Sequence, residues 1–414
     1  NDMDAIAVGF QKRWINLELL DLRNNEIRAR GALVIGCNTT WKNLRKLTLG
    51  NNKIGDMGCE AIGRNTTWVN LEELWLYQNE IGDKGAAVIG SNTTWKNLRK
   101  LTLRTNKIGD EGAVAIGRNT SWVNLEALWL NENQIGDKGA AILGSNTSWK
   151  KLKELILHMN KISDEGCVAI GKNKTWSNLT ELWLYQNQIR ERGATAIGSN
   201  ITWCNLRKLS LENNNIGDDG AAVIGGNTVW TNLEELWLYQ NQIGNRGAVW
   251  IGSNKTWKNL KKLVLRSNSI GNDGGEAIGR NTTWVNLEEL WLNDNLLGNK
   301  AAIAIGNNTT WRKLKKLSLG HNTISDNGGE VVGRNTTWVD LEELWFYQNP
   351  IGDRVARAIG QNLTWKKLKK LSLWSNQIGE EGALALALNA IWTDLEMLAL
   401  HQNKIGDFGV AALG

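Results

Sequence analysis

A tryptophan recurs every twenty-seven residues along the whole chain, and this spacing constrains the fold more than any other feature. Its fifteen positions run from Trp14 to Trp392 without an insertion or a deletion. Internal repeats of this length are built as stacked units, each of which contacts only its neighbours. We therefore predict one array over residues 1–414, in place of the two or three domains that the length alone would indicate.

One repeat, from Trp68 to Thr94, has the sequence WVNLEELWLYQNEIGDKGAAVIGSNTT. Its first half alternates apolar and polar residues, which predicts a short β-strand followed by Asn79. An asparagine occupies that position in all fifteen repeats. We expect its amide to hydrogen-bond to the backbone of its own repeat and of the next one. The second half predicts a short helix with Asp83 as its N-cap and Gly90 as its terminator.

These segments resemble the leucine-rich repeat of the ribonuclease-inhibitor class, which also occurs in NOD-like receptors and in the Ran GTPase-activating protein. The resemblance rests on the strand motif LxxLxLxxN, which begins at Leu71, and on the helix start IGDEGA at 108–113. The unit is slightly shorter than is usual in that class, and tryptophan stands where an aliphatic residue or cysteine is usual. The resemblance implies an α/β solenoid with a parallel sheet on one face and short helices on the other.

Strand and helix spacing together predict how such an array curves. Parallel strands lie about 4.8 Å apart whereas packed helices need about 8 to 10 Å, so the strands take the inner, concave face of a horseshoe. The chain begins and ends inside helical half-repeats without a sequence typical of a capping unit. We therefore expect either a fragment of a longer protein or an array whose ends are protected by something else.

The stretch Asn65-Thr66-Thr67 before Trp68 has the form of a glycosylation sequon. Twelve repeats complete this sequon, whereas Asn227 and Asn389 keep the asparagine without an acceptor hydroxyl two residues later. An asparagine that persists when the sequon is lost favours a structural role, as a side-chain cap at the turn from helix to strand. An extracellular, glycosylated recognition module is the alternative interpretation.

A net charge of +6 raises the question of a nucleic-acid partner. Basic strand segments alternate with acidic ones, so that Glu73 is expected between Lys46 and Lys100. Neighbouring opposite charges stabilise a sheet, and a phosphate-binding face needs basic residues without carboxylates between them. We therefore predict no nucleic-acid partner.

Neither a membrane nor a secretory route is indicated by the sequence. It holds no run of eighteen apolar residues, and its first ten residues lack the basic and apolar regions of a signal peptide. The four cysteines, Cys37, Cys59, Cys167 and Cys204, form no CxxC pair. Free thiols in a reducing compartment are the simpler interpretation, and we predict a cytoplasmic protein without a membrane partner.

Two columns of residues on the concave face are the candidate binding surface. Tryptophan occurs on every second strand, and small residues such as Thr102 and Ser318 stand between, because bulky rings on every strand would collide. The column is either a self-packed stripe that stiffens the sheet or an aromatic floor for a protein ligand. The residues that we predict to bind this ligand are Trp75, Tyr77, Arg104, Trp129, His158, Trp183, Tyr185, Trp237, Tyr239, Arg266, Trp291, Trp345, Tyr347 and Trp374.

A longer period of six repeats, or 162 residues, is also present. Tyr77, Arg104 and Asn131 recur as Tyr239, Arg266 and Asn293. Duplication of a six-repeat block explains this recurrence without any function. If the period is functional, the face carries two similar patches about 29 Å apart and favours a ligand with repeated features.

Little in the sequence indicates catalysis. His158 and His401 are nine repeats apart, and neither has a cysteine or a second histidine at a metal-ligand spacing. Neither a nucleophile–base arrangement nor a phosphate-binding glycine motif is present. We predict a non-enzymatic recognition module that binds a protein ligand and uses no metal and no cofactor, with its oligomeric state left open. The alternative that the resemblance implies is a GTPase-activating regulator of the Ran-activator type.

Overall fold

The computed structural model describes residues 2–414, in which each repeat contributes a strand of three residues and a helix of eight or nine. The predicted 27-residue α/β repeat is confirmed. The chain divides into two compact units, the first ending at Lys208 and the second running from Leu209 to Gly414. No helix within residues 2–414 is long and apolar enough to cross a membrane.

The first unit contains α1 (Asp2–Gly9), β1 (Leu19–Asp21), α2 (Ala29–Gly36), β2 (Lys46–Thr48), α3 (Gly55–Gly63), β3 (Glu73–Trp75), α4 (Asp83–Ser91), β4 (Lys100–Thr102), α5 (Asp110–Gly117), β5 (Ala127–Trp129), α6 (Asp137–Gly144), β6 (Glu154–Ile156), α7 (Asp164–Lys172), β7 (Glu181–Trp183) and α8 (Glu191–Gly198). Strand β8 (Lys208–Ser210) lies at the division between the units.

The second unit contains α9 (Gly217–Gly225), β9 (Glu235–Trp237), α10 (Asn245–Ser253), β10 (Lys262–Val264), α11 (Asn272–Gly279), β11 (Glu289–Trp291), α12 (Asn299–Gly306), β12 (Lys316–Ser318), α13 (Asp326–Gly333), β13 (Glu343–Trp345), α14 (Asp353–Gly360), β14 (Lys370–Ser372), α15 (Glu380–Ala387), β15 (Met397–Ala399) and α16 (Gly406–Leu413).

Within each unit the strands pair in parallel and in chain order. Every register is a shift of one repeat, so that Leu47 lies opposite Leu74 and Leu74 opposite Leu101. These leucines are fully buried, as are helix residues such as Ile89 and the repeated tryptophans such as Trp68. Burying each of these large side chains contributes about 1.5 to 3 kcal/mol, which a single repeat does not obtain without its neighbours.

The predicted asparagine at the strand end does join repeats, but to the preceding repeat. Asn79 donates from Nδ2 to the carbonyl oxygens of Tyr77 in its own repeat and of Leu49 in the repeat before, at 3.0 and 2.9 Å. The equivalent Asn106 accepts the backbone N–H groups of Asn79 and Ile81 on its Oδ1. Each amide thus satisfies backbone groups that would otherwise be buried unpaired.

The sequon asparagine forms a second joint between repeats, as the sequence analysis predicts. Asn65 is buried, and its Nδ2 donates to the carbonyl oxygens of Gly36 and Asn38 in the preceding repeat at 2.8 and 2.9 Å. Its Oδ1 accepts the N–H groups of Thr67 and Trp68. The nitrogen that would carry a glycan is therefore already bonded twice inside the fold.

The aspartate at the helix start caps a different helix from the one predicted. The N-cap of α4 is Gly82, and no side chain bonds there from within the same repeat. The Oδ1 of Asp83 instead accepts the N–H groups of Gly109 and Gly112, at the start of the next helix, both at 2.8 Å. The prediction of Asp83 as the N-cap of its own helix was wrong, because its carboxylate faces the neighbouring repeat.

Gly90 was also assigned the wrong role. It lies inside α4 and does not terminate it. A Cβ atom at Gly90 would stand 2.5 Å from the backbone carbonyl carbon of Ala115 in α5. The glycine therefore allows two helix backbones to approach each other closely.

Helix starts that follow a residue other than aspartate or asparagine at the position equivalent to Asp83 adopt a different backbone. Ala29 replaces the aspartate before α3, and Gly55 at the start of α3 has φ +59° with open space around its missing side chain. Glu380 replaces it before α16, where Gly406 has φ +62°. Glycine is the residue that adopts this left-handed conformation without strain.

The aspartate joint generates a stability prediction in α10 and α12. Asn245 and Asn299 occupy the aspartate position and accept the same N–H groups through an uncharged oxygen, at 2.9 to 3.1 Å. A carboxylate near a helix N-terminus contributes about 0.3 to 1 kcal/mol through the helix dipole. The double variant Asn245→Asp, Asn299→Asp should therefore raise the free energy of unfolding, measured by urea denaturation at low ionic strength.

The control for this prediction is Asn307→Asp, which places the same charge at the exposed C-cap of α12. The helix dipole has the opposite sign there, so no stabilisation is expected. Equal effects of the double variant and the control would contradict the joint described above.

Candidate functional site

The outward face of the strands is the side that faces away from the buried leucines. In β3, Leu74 is fully buried whereas Glu73 and Trp75 are half-exposed, so these two side chains point outward. Tyr77, two residues beyond Trp75, is also half-exposed. We name the positions equivalent to Trp75 the tryptophan column and those equivalent to Tyr77 the tyrosine column.

Neighbouring carboxylates orient five of the six rings of the tryptophan column, whereas the indole N–H of Trp75 has no hydrogen-bond partner within residues 2–414. The indole N–H of Trp183 donates to Glu181 of its own strand at 3.1 Å, and that of Trp129 to Glu154 of the next strand at 3.0 Å. In the second unit Trp237, Trp291 and Trp345 each donate to the glutamate two residues before, at 3.1 Å. The small residues between these rings are buried, including Thr102 and Ser318. The column is therefore packed internally and still presents half-exposed rings.

Lysines lie over two of these tryptophans. The Nζ atom of Lys46 is 4.2 Å from the ring centre of Trp75, and that of Lys262 is 4.2 Å from the ring centre of Trp237. Lys46 also pairs with Glu73, and Lys262 with Glu289. The predicted alternation of basic and acidic strands thus forms ion pairs in both units.

In the first unit the tyrosine column holds two stacked pairs. Tyr77 lies over Gly50, where an added Cβ would be 2.2 Å from the ring, and the guanidinium of Arg104 lies 4.7 Å from the ring centre. His158 is buried and stacks on Tyr185 with 3.9 Å between ring centres. Burial lowers the pKa of His158 to about 4, so its ring is neutral at pH 7.

In the second unit the same column holds a longer series of rings. The guanidinium of Arg266 lies 4.4 Å from the ring centre of Tyr239. Tyr347, Trp374 and His401 form a run of nearly parallel rings, with 5.1 and 5.2 Å between successive centres. These separations follow the spacing of parallel strands, about 4.8 Å. Every predicted site residue therefore lies in one of the two columns of its unit.

Two acidic residues beside the tyrosine column were not among the predicted site residues. Glu132 and Asp294 each follow the column asparagine, Asn131 and Asn293. Their positions in the other repeats carry uncharged residues or, in one repeat, His321. The sequence did contain a signal for these two residues. They are the only acidic residues of that row, and they are 162 residues apart, which is also the distance between Tyr77, Arg104 and Asn131 and their counterparts Tyr239, Arg266 and Asn293.

Glu212 was missed as well. It occupies the tyrosine column one repeat before Tyr239, is 5% exposed and accepts the Ser210 hydroxyl at 2.5 Å. Burial raises the pKa of Glu212 to about 7, which the Ser210 hydrogen bond and the charge of Arg266 partly oppose. Its carboxyl group is therefore close to half-ionised at neutral pH.

Metal binding has no support within residues 2–414, where no group of three or more histidine, cysteine, aspartate or glutamate side chains is placed to hold an ion. The four cysteines are free thiols, and burial raises the pKa of the Cys59 and Cys167 thiols. The chemistry of the outward face is thus that of aromatic rings, guanidinium groups and fixed carboxylates.

Nine segments of the chain match the family model described as Leucine Rich repeat. The chain is built from leucine-rich repeats. The matched residues are 15–36, 42–63, 96–117, 123–143, 150–171, 204–225, 258–279, 312–333 and 366–387. No curated protein sequence matches the chain. Membership of the ribonuclease-inhibitor class stays a prediction.

Three solved structures show folds similar to that of this chain. A TDR receptor matches with a TM-score of 0.57 and 16% identity over 94% of this chain, which spans 64% of that receptor. An internalin (InlF) from Listeria monocytogenes matches with a TM-score of 0.55 and 19% identity, over 99% of this chain and 92% of the internalin. The leucine-rich-repeat ectodomain of the receptor kinase GASSHO1/SCHENGEN3 from Arabidopsis thaliana, in complex with CASPARIAN STRIP INTEGRITY FACTOR 2, matches with a TM-score of 0.51 and 18% identity over 96% and 52% of the two chains. At these identities the likeness concerns the fold alone.

The buried carboxyl of Glu212 predicts a pH dependence of stability. The pKa of Glu212 in the folded chain, about 7, exceeds its ordinary value of 4.5, so folding takes up a proton between these two values. Its stabilising effect is complete below pH 4.5 and is lost as the pH rises through 7. Glu212→Gln, which keeps the shape without the charge, should raise the free energy of unfolding at pH 8 by on the order of 2 kcal/mol and change it little at pH 4.5.

Urea denaturation of both chains across this pH range measures the effect. The control is Glu111→Gln, which changes an exposed glutamate whose pKa the Lys138 side chain lowers. An equal change in the Glu212→Gln chain at pH 8 and pH 4.5 would contradict the burial of an ionising carboxyl at this position.

Proposed function

We propose that the protein is a non-catalytic recognition module that binds an extended segment of a protein partner on the outward face of its strands. The observation behind the proposal is that the face carries half-exposed aromatic rings whose orientations are already fixed. Aromatic and arginine side chains dominate the energetics of protein interfaces, and rings that are ordered before binding lose little entropy on association.

Two kinds of contact fix these rings. Hydrogen bonds from indole nitrogen to carboxylate orient the tryptophan column, as between Trp345 and Glu343. Stacking on the equivalent residue of the next repeat orients rings of the tyrosine column, as between Tyr347 and Trp374. A partner chain laid across the strands would meet ring edges and polar groups of Tyr77, Trp374 and their equivalents at intervals of about 4.8 Å.

The similar structures support the class of partner. The GASSHO1/SCHENGEN3 ectodomain is in complex with CASPARIAN STRIP INTEGRITY FACTOR 2, and a further match with a TM-score of 0.52 and 18% identity is the PEPR1–AtPEP1 structure. The names of these two structures include a protein or peptide partner for a protein of similar fold. Which partner this chain binds is not implied by those complexes.

A selection from a random displayed-peptide library tests the proposal. Peptides enriched on the wild-type chain would be measured for affinity against the triple variant Tyr77→Ala, Tyr239→Ala, Trp374→Ala. Loss of three interface rings should weaken binding by about tenfold or more, since single hot-spot residues cost upwards of about 1 kcal/mol.

The matched control removes large exposed side chains from helices: Leu33→Ala in α2, Trp250→Ala in α10 and Leu384→Ala in α15. Its affinities should equal those of the wild type. Selected peptides that bind the outward-face variant as tightly as the wild type, or that lose affinity for the helix variant, would contradict the proposal.

A further inference from the structure

Arg104 is held in place without being neutralised. Its guanidinium lies over the ring of Tyr77, and no carboxylate in residues 2–414 forms an ion pair with it. A guanidinium offers five N–H donors, and it binds carboxylates bidentately when they approach in its plane. Tyr77, which lies flat over Gly50, forms a fixed platform for this cation.

A carboxylate in the next repeat, just beyond the end of β5, is held by two uncharged groups. Glu132 accepts a hydrogen bond from the Thr105 hydroxyl on Oε2 and one from the Asn131 amide on Oε1, both at 3.1 Å. Arg104 and Glu132 belong to adjacent repeats and are offset by one residue, so the two charges lie near each other and are oriented by separate partners.

The second unit has a similar arrangement, except that a histidine is one of the groups that hold the acid. Arg266 lies over Tyr239 and has no ion-pair partner in the described chain. Asp294 accepts a hydrogen bond from Asn293 at 2.6 Å, and its other oxygen lies 2.6 Å from Nδ1 of His321. Arg266 and Asp294, like Arg104 and Glu132, belong to adjacent repeats and are offset by one residue.

The row of equivalent positions that contains Glu132 and Asp294 also has an unusual backbone. Glu132 and Asp294 have φ values of +56°, and the equivalent residue of every repeat lies in the same left-handed region. Non-glycine residues there cost about 1 kcal/mol or more each, yet none of the fifteen positions is glycine. The backbone conformation alone would favour glycine at these positions, yet every repeat carries a side chain there.

We propose that each unit contains a charge-pair site, Arg104 with Glu132 in the first and Arg266 with Asp294 in the second, which binds an acidic and a basic side chain of one extended peptide. The acidic side chain of the peptide pairs with the arginine, and the basic one pairs with the fixed carboxylate. This inference rests on the proposed function and adds to it the charge pattern of the partner.

Strand geometry sets the spacing of that pattern. The arginine and the acid lie just beyond the ends of adjacent strands, one repeat apart and offset by one residue, and with repeats about 4.8 Å apart and successive Cα atoms about 3.8 Å apart their backbones are about 6 Å from each other. In an extended peptide the side chains of residues i and i+2 lie on the same face, about 6.5 to 7 Å apart. The partner should therefore carry opposite charges two residues apart, and a spacing of three places them on opposite faces.

Synthetic eleven-residue peptides with a Ser/Thr/Gln background test this pattern. The set carries Asp-x-Lys, Lys-x-Asp, Asp-x-x-Lys, Asp-x-Asp, Lys-x-Lys or the neutral Asn-x-Gln, and binding is measured by fluorescence polarisation at low salt. One of the two opposite-charge orders with spacing two should bind at least about tenfold tighter than the neutral peptide. The peptide with spacing three should not.

A charge exchange within the sites provides the decisive readout. The variant Arg104→Glu, Glu132→Arg, Arg266→Glu, Asp294→Arg should invert the preference between Asp-x-Lys and Lys-x-Asp, which a merely structural role would not do. The milder variant Arg104→Gln, Arg266→Gln should lose the preference, and it covers the case in which the exchanged chain does not fold. The control Arg118→Glu, Arg280→Glu changes two exposed helix C-cap arginines with the same six-repeat separation and should keep it.

The outcomes separate the two proposals. Library peptides could bind in a way that requires the aromatic columns but does not change with the charge pattern of the peptide or with either arginine variant. This result would overturn the charge-pair site alone. A wild-type chain that retains no peptide from either set would overturn the recognition function and the charge-pair site together.

Discussion

An asparagine side chain that bonds to the backbone of the preceding repeat is the interaction on which the rest of each unit depends. At the joint, Asn65 donates to two carbonyl oxygens of the repeat before it and accepts two N–H groups of its own turn. Strands of three residues make few ladder hydrogen bonds, and helices of eight or nine residues are marginal alone. Fixing each turn to its neighbour allows these short elements to stack in one register and to bury the tryptophans and leucines.

The outward face follows from that register. Because equivalent residues lie one strand apart, about 4.8 Å, a large ring on one strand requires a small or flat neighbour on the next. Gly50 provides this room beside Tyr77, and the buried Thr102 provides it between Trp75 and Trp129. The guanidinium of Arg104 forms no ion pair within residues 2–414, so its charge does not hold the repeats together. Charged groups that form no ion pair within the fold are available to pair with a partner.

Periodicity made the repeat, the strand end and the role of the sequon asparagine predictable. A strict repeat does not tell, however, whether a side chain bonds within its own repeat or to the equivalent atom twenty-seven residues away. For that reason the partner of Asp83 was predicted wrongly. Gly90 resembled a helix terminator, since the sequence does not reveal how closely helix backbones approach. The candidate columns followed from strand alternation. Ring stacking on Tyr185 and the hydrogen bonds that hold Glu132 arise from side-chain conformations, which the sequence does not specify.

Hydrogen exchange of asparagine side-chain amides, followed by NMR in the folded protein, tests the joint most directly. The account predicts that the Nδ2 protons of Asn65 and its equivalents exchange as slowly as the backbone N–H groups of the neighbouring strands, since both are released only when repeats separate. The amide of an exposed asparagine such as Asn327 should exchange at the rate of a free side chain. Equally fast exchange at Asn65 and Asn327 would contradict the claim that buried asparagines hold the repeats together.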